Sequence, residues 1–160
     1  MELGNLSLRL VGISRQTGDP KNKPGMLAEV SRLFDGARRT IKIVSGGFPS
    51  RLYCSRSLLA ALDRAREERG CTVEAIVGAE ADQECVEAWT SRGIGVYKLD
   101  HWPKQHFAVV DATHARLEDL HSWDEEKRVQ YVVHHYKNAA KLERKFEELK
   151  GQASSVESAA

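Results

Sequence analysis

Apolar and polar residues alternate from Leu6 to Ile13 (LSLRLVGI), the period-two pattern of a strand with one buried face. The turn-rich stretch Gln16 to Gly25, with two prolines and two glycines, predicts a loop. From Met26 to Ala37 the apolar positions Met26, Leu27, Val30, Leu33 and Phe34 fall on one helical face. Thr40 to Val44 (TIKIV) is a short β-branched strand, followed by the loop Ser45-Gly46-Gly47-Phe48-Pro49-Ser50. A helix over Ser57 to Arg69, a strand over Cys71 to Val77, a helix over Asp82 to Arg92 closed by Gly93, and a strand over Gly95 to Leu99 continue the alternation.

The pattern then changes. His106 to Asp111 (HFAVVD) reads as a strand, Ala112-Thr113 as a turn, and His114 to Asp119 as the returning arm of a hairpin. Arg128 to His135 is a further strand. Asn138 is the expected cap of a last helix, Ala139 to Lys150, ended by Gly151. Gln152 to Ala160 is a small-residue tail expected to be disordered. Strand–helix alternation in the first half and a hairpin in the second predict one α/β domain, residues 1–150, with a mixed sheet flanked by helices.

Composition narrows the class. The 160 residues carry 24 Lys and Arg against 23 Asp and Glu, which gives no broad electrostatic footprint for nucleic acid but leaves room for a local one. No apolar run is long enough for a membrane span, and the start lacks the layout of a signal peptide, so a cytoplasmic protein is expected. Cys54, Cys71 and Cys85 have neither disulfide nor zinc-cluster spacing and read as buried or half-buried thiols.

Two stretches carry candidate chemistry. The Ser45-Gly46-Gly47 bend follows a strand, where backbone N–H groups and the Ser45 hydroxyl can approach an anion. The same Gly pair is equally a plain turn. The segment His101 to His121 holds four of the six histidines together with Lys104, Asp111, Arg116, Glu118 and Asp119. On one continuous strand Lys104 and His106 would share a face, as would His114, Arg116 and Glu118 across the hairpin. A histidine beside cations can attack phosphorus or move protons, while cations stabilise the added phosphate charge. The plainer reading is a solvated polar strand pair. His106, Glu118 and His121 are also acceptable ligand types for a first-row metal, but their spacing matches no metal signature and no metal or cofactor is expected. Trp102, Trp123 and Tyr131 can stack on a base or serve as packing anchors.

The element order, the sequence LFDGARRTIKIVSGGF and the late HFAVVD hairpin resemble a phospholipase D-like domain over residues 26–149. The resemblance implies a motif His-x-Lys-x4-Asp, a phosphohistidine intermediate, a phosphate-binding lysine and no metal. It also implies two motifs facing each other, hence a homodimer for a chain with one copy. With Asp111 in the aspartate position, this chain reads Lys104-x-His106-x4-Asp111, the first two residue types being exchanged. With His106 in the nucleophile position, Ala108 and Thr113 replace lysine and aspartate. The apolar Val109-Val110 pair favours the first register, which sets Glu118 and Asp119 where the family has small residues and where carboxylates repel a phosphodiester.

The resemblance thus implies catalytic-position residues Lys104, His106 and Asp111, and the residue pattern itself offers Ser45, Gly46, Arg116, Glu118 and His121 as ligand- or phosphate-binding candidates. The leading expectation is a binding or regulatory module for a phosphate-containing ligand or nucleic acid, with weak or no hydrolysis, acting alone or in a larger complex. The alternative is a metal-independent phosphodiesterase or nuclease with His106 as nucleophile.

Overall fold

The computed structural model describes residues 14–18, 23–118, 129–133 and 136–158. Its strands are β1 (Ser14–Gly18), β2 (Thr40–Ser45), β3 (Thr72–Val77), β4 (Gly95–Lys98), β5 (Phe107–Val110), β6 (His114–Glu118), β7 (Val129–Val133) and β8 (Ser154–Val156). The helices are α1 (Lys23–Asp35), α2 (Ser50–Tyr53), α3 (Arg56–Asp63), α4 (Gln83–Thr90) and α5 (Tyr136–Lys150), with α3 running on into a π-helical turn, Arg64–Glu68.

Among the described residues the strands form one mixed sheet in the order β1-β7-β6-β5-β2-β3-β4-β8. β2, β3 and β4 run parallel, as strand–helix–strand crossovers require. β5 returns antiparallel to β2, with Ile43 opposite Ala108 and Val44 opposite Phe107. β6 continues the antiparallel half, with Phe107 opposite Leu117 and Ala108 opposite Arg116.

Side-chain alternation divides the core between the two faces of this sheet. On one face, Ile41, Ile43, Val73, Ala75, Val77, Ala108 and Val110 pack against α1, α3 and α4, including Phe34, Leu62 and Trp89. On the other, Val44, Ile76, Phe107 and Val109 pack against Phe146 and the other apolar positions of α5. Lys42 opens onto that second face and pairs with Glu143 and Glu147 of α5 at 2.8 and 2.9 Å. Burial pulls the Lys42 ammonium down, but the two carboxylates outweigh it and hold it above its ordinary value.

Several boundaries differ from the sequence expectations. The strand expected over Leu6 to Ile13 lies outside the described residues. The predicted loop Gln16 to Gly25 contains the end of β1 and the start of α1, because Pro24 sits in the first helical turn, where no backbone N–H is needed. Asn138 is not a cap, since α5 already begins at Tyr136. The tail is not wholly without structure: Ser154–Val156 adds β8 antiparallel to β4, with Ser155 opposite Tyr97. Its composition carries little strand propensity, so the pairing is set by the edge that β4 offers.

Candidate functional site

β2 and β3 end side by side, and the bends that follow them interlock. The Gly78 N–H donates to the Gly46 carbonyl at 3.0 Å, and the Asp82 N–H to the Gly47 carbonyl at 3.0 Å. A Cβ on Gly78 would stand 2.8 Å from the Gly46 oxygen, so the crossing requires glycine there. Asp82 caps α4 by accepting from the Cys85 N–H, and a hydrogen bond from Ser50 holds its carboxyl below the ordinary value. Gly78 escaped the sequence reading, although Val77-Gly78 follows its strand as Ser45-Gly46 follows β2.

Against this double bend lies the start of β5. One step beyond the last paired residues, Val44 and Phe107, stand Ser45 and His106, both buried at 4% and 7% exposure. Both fall on the sheet face that carries Ile43 and Ala108. The Gly46 N–H donates to His106 Nε2 at 3.2 Å. That contact uses the lone pair of Nε2, and so goes with the tautomer that carries its proton on Nδ1. The Trp102 ring sits 5.5 Å from the His106 ring, centre to centre, tilted by 50°. The glycine bend and the polar segment of the second half thus meet at one end of the sheet.

The remaining expected site residues divide. Arg116, 3% exposed, pairs with Ala108 and belongs to the same face, as a diagonal neighbour of His106 at roughly 7–8 Å between Cα atoms. Residue 118 occupies the position on β6 that extends the Ser45–His106 row. His121, Trp123 and Asp119 lie outside the described residues, as do His134 and His135. Lys104 does not share a strand with His106: β5 begins only at Phe107, and Lys104 sits exposed in the preceding loop. The strand alternation argument fails for it because the chain bends at Lys104 and enters the ladder only at Phe107.

Asp111 is at the other end of β5, about 16 Å from His106 at the rise of an extended chain. Its carboxylate accepts from three consecutive backbone N–H groups, Arg38 at 2.8 Å, Arg39 at 2.7 Å and Thr40 at 2.8 Å. Its own backbone has φ 54°, and Ala112 follows at φ 55°. The hairpin turn and the start of β2 are therefore tied together by this one carboxylate. Of the three expected residues Lys104, His106 and Asp111, the strand thus sets His106 and Asp111 at opposite ends and Lys104 in the loop before it.

Among the described residues no group of three or more His, Cys, Asp or Glu is arranged to hold a metal ion. Among them, too, no helix is long and apolar enough to cross a membrane. Cys54, Cys71 and Cys85 are free thiols, and burial, followed by the contact with Cys54, pushes Cys85 up.

No protein-family model and no curated protein matches the sequence. Solved structures do match the fold. Nuc from Salmonella typhimurium, a phospholipase D family member, superposes with a TM-score of 0.68 at 16% identity, over 91% of this chain and 99% of that one. The fold is phospholipase D-like. NucT from Helicobacter pylori gives a TM-score of 0.68 at 13% identity, over 90% of this chain and 99% of that one. TrmBL2, an archaeal chromatin protein whose structure shows a novel mode of DNA binding, gives 0.67 at 14% identity, over 97% of this chain and 60% of that one. Within the phospholipase D-like fold, the bends after β2 and β3 and the entry to β5 lie at the carboxyl ends of the parallel strands, the end at which open α/β sheets bind ligands.

Proposed function

We propose that this chain is a phospholipase D-like binding module that takes up a phosphodiester, in the form of a nucleic acid strand, at the His106 end of the sheet and does not turn it over. The observation that carries the reading is the hydrogen bond from Gly46 N–H to His106 Nε2. A histidine that attacks phosphorus needs that lone pair, and here the backbone engages it. The exchange of residue types adds to the argument, because Lys104 stands exposed in the loop before β5 and not on the strand beside His106. What remains suits recognition. Arg116 is a buried cation one diagonal step from His106, matched to phosphate oxygens. Exposed Trp102 offers a ring face to a base.

The DNA-binding chromatin protein among the structural neighbours agrees with a nucleic acid ligand. A second copy of the chain, or a larger complex, and a cytoplasmic setting belong to the same reading. So does an acidic contribution from Glu118 that restrains affinity.

The test is direct. Purified protein in EDTA is offered bis-p-nitrophenyl phosphate, and its affinity for a fluorescein-labelled oligothymidylate is followed by anisotropy at increasing salt. The expected result is background turnover, with binding that weakens as salt rises and weakens further in Arg116→Gln. Turnover that disappears in His106→Ala would instead establish the phosphodiesterase alternative. Absence of both binding and turnover would remove the phosphodiester reading altogether.

A further inference from the structure

The molecule treats two of its tryptophans in opposite ways. Trp89 is fully buried and its indole N–H donates to the Tyr53 carbonyl at 2.9 Å. Trp102 is 43% exposed, yet its ring rests on backbone. A Cβ built on Gly46 would stand 2.6, 2.8 and 2.9 Å from Cε2, Cδ2 and Cζ2 of that ring, and one on Gly47 would stand 3.2 Å from Cη2. No real side chain tolerates the first three distances. Gly46 and Gly47 therefore make a flat seat, and the indole occupies it directly above the amide that bonds His106.

The segment that carries the indole runs from Leu99 to His106. Leu99 is buried and its N–H donates to the Val77 carbonyl at 2.9 Å, and His106 closes the other end. Between them Asp100, His101, Trp102 and Lys104 are exposed, while Pro103 is buried. The indole thus rests on glycine backbone at one side while much of it stays open to water.

We infer that Trp102 is a cover residue: its indole, seated on Gly46 and Gly47, closes Ser45 and His106 from solvent, and a ligand reaches them only after the ring has left the seat. The cover is an autoinhibitory contact made by the chain itself. It rests on the proposed phosphodiester reading only for the identity of the ligand; the closure is a property of the unliganded protein.

Histidine carbethoxylation with diethyl pyrocarbonate, read residue by residue by peptide mass spectrometry, measures it without any ligand. The reagent needs the imidazole lone pair, which the Gly46 N–H engages in wild type and variants alike, so the cover is read from each variant's His106 rate relative to wild type, with exposed His101 as the internal standard. Trp102→Ala removes the cover. Gly46→Ala pushes the ring from its seat but keeps the backbone N–H on His106, and so separates the cover from the hydrogen bond. Both variants are expected to label at His106 roughly tenfold faster or more, given the apolar contact that half-buried indole surface forfeits. An unchanged His106 rate in Trp102→Ala, with His101 labelling normally, overturns the cover. A fast Trp102→Ala with a slow Gly46→Ala overturns the glycine seat. Failure of the oligothymidylate binding test would leave these rates untouched, so the two proposals fail separately.

Discussion

The two ends of β5 hold two polar constellations, and they are built for different work. At the Asp111 end a carboxylate gathers three backbone N–H groups and ties a hairpin turn to the start of β2. Its acceptor capacity goes to the fold. At the His106 end one backbone N–H meets an imidazole, a buried serine stands alongside, and an indole lies over the bend. Those groups lie at the carboxyl ends of β2 and β3, beside the indole. A motif written along one strand can thus be split in space, with one member anchoring the scaffold and another lining the crevice.

The sharpest way to break this contrast is to remove the anchor. Asp111→Ala leaves three amides without their acceptor and sets alanine at φ 54°. A loss of about 3–4 kcal/mol is expected, less than the full sum because water reaches two of the amides. Asp111→Asn, which keeps one oxygen, is expected to lose about half as much. Urea unfolding midpoints measure both. Gly46→Ala comes next, at about 1–3 kcal/mol, because the added methyl overpacks against the Trp102 ring. His106→Ala is expected to cost about 2 kcal/mol of stability, from the Gly46 hydrogen bond and the packing of a buried ring beside Trp102, while abolishing oligonucleotide affinity. If His106→Ala destabilised more than Asp111→Ala, the division between anchor and crevice would be reversed.

The smallest effect concerns pH. Asp82 is held below its ordinary value of 3.8 by the Ser50 hydrogen bond and then by backbone N–H groups of α4. A depressed carboxyl stabilises the fold above its unfolded pKa and loses that contribution as pH falls through the folded one. Asn is an equally good helix cap, so Asp82→Asn is expected to differ little from wild type near neutrality. Its remaining deficit should shrink in acid, which thermal unfolding at several pH values would detect.

Much of the scaffold was legible in the residues. The strands TIKIV and HFAVVD and the helix near Met26 announced themselves by period, because each buries one face against a partner of the same sheet. β8 did not, since Ser154 and Ser155 bury little and owe their conformation to the edge of β4. α2 is a single turn and too short to show a period. For the candidate site, the sequence brought Ser45, Gly46 and His106 forward, but it could not separate His106 from Asp111. That required knowing where β5 starts and which amides wait at its far end. The seat of Trp102 was equally hidden, because glycine's role there is the absence of a side chain beneath a ring 56 residues later in the chain, at Trp102 from Gly46.

One measurement bears on the central claim most directly. In an amide proton–nitrogen NMR titration with oligothymidylate, the Gly46 amide is expected to shift progressively, because the ligand replaces the contact it makes with His106. The Arg38, Arg39 and Thr40 amides at the Asp111 anchor should stay in place. Movement of those three amides with a stationary Gly46 would contradict the account.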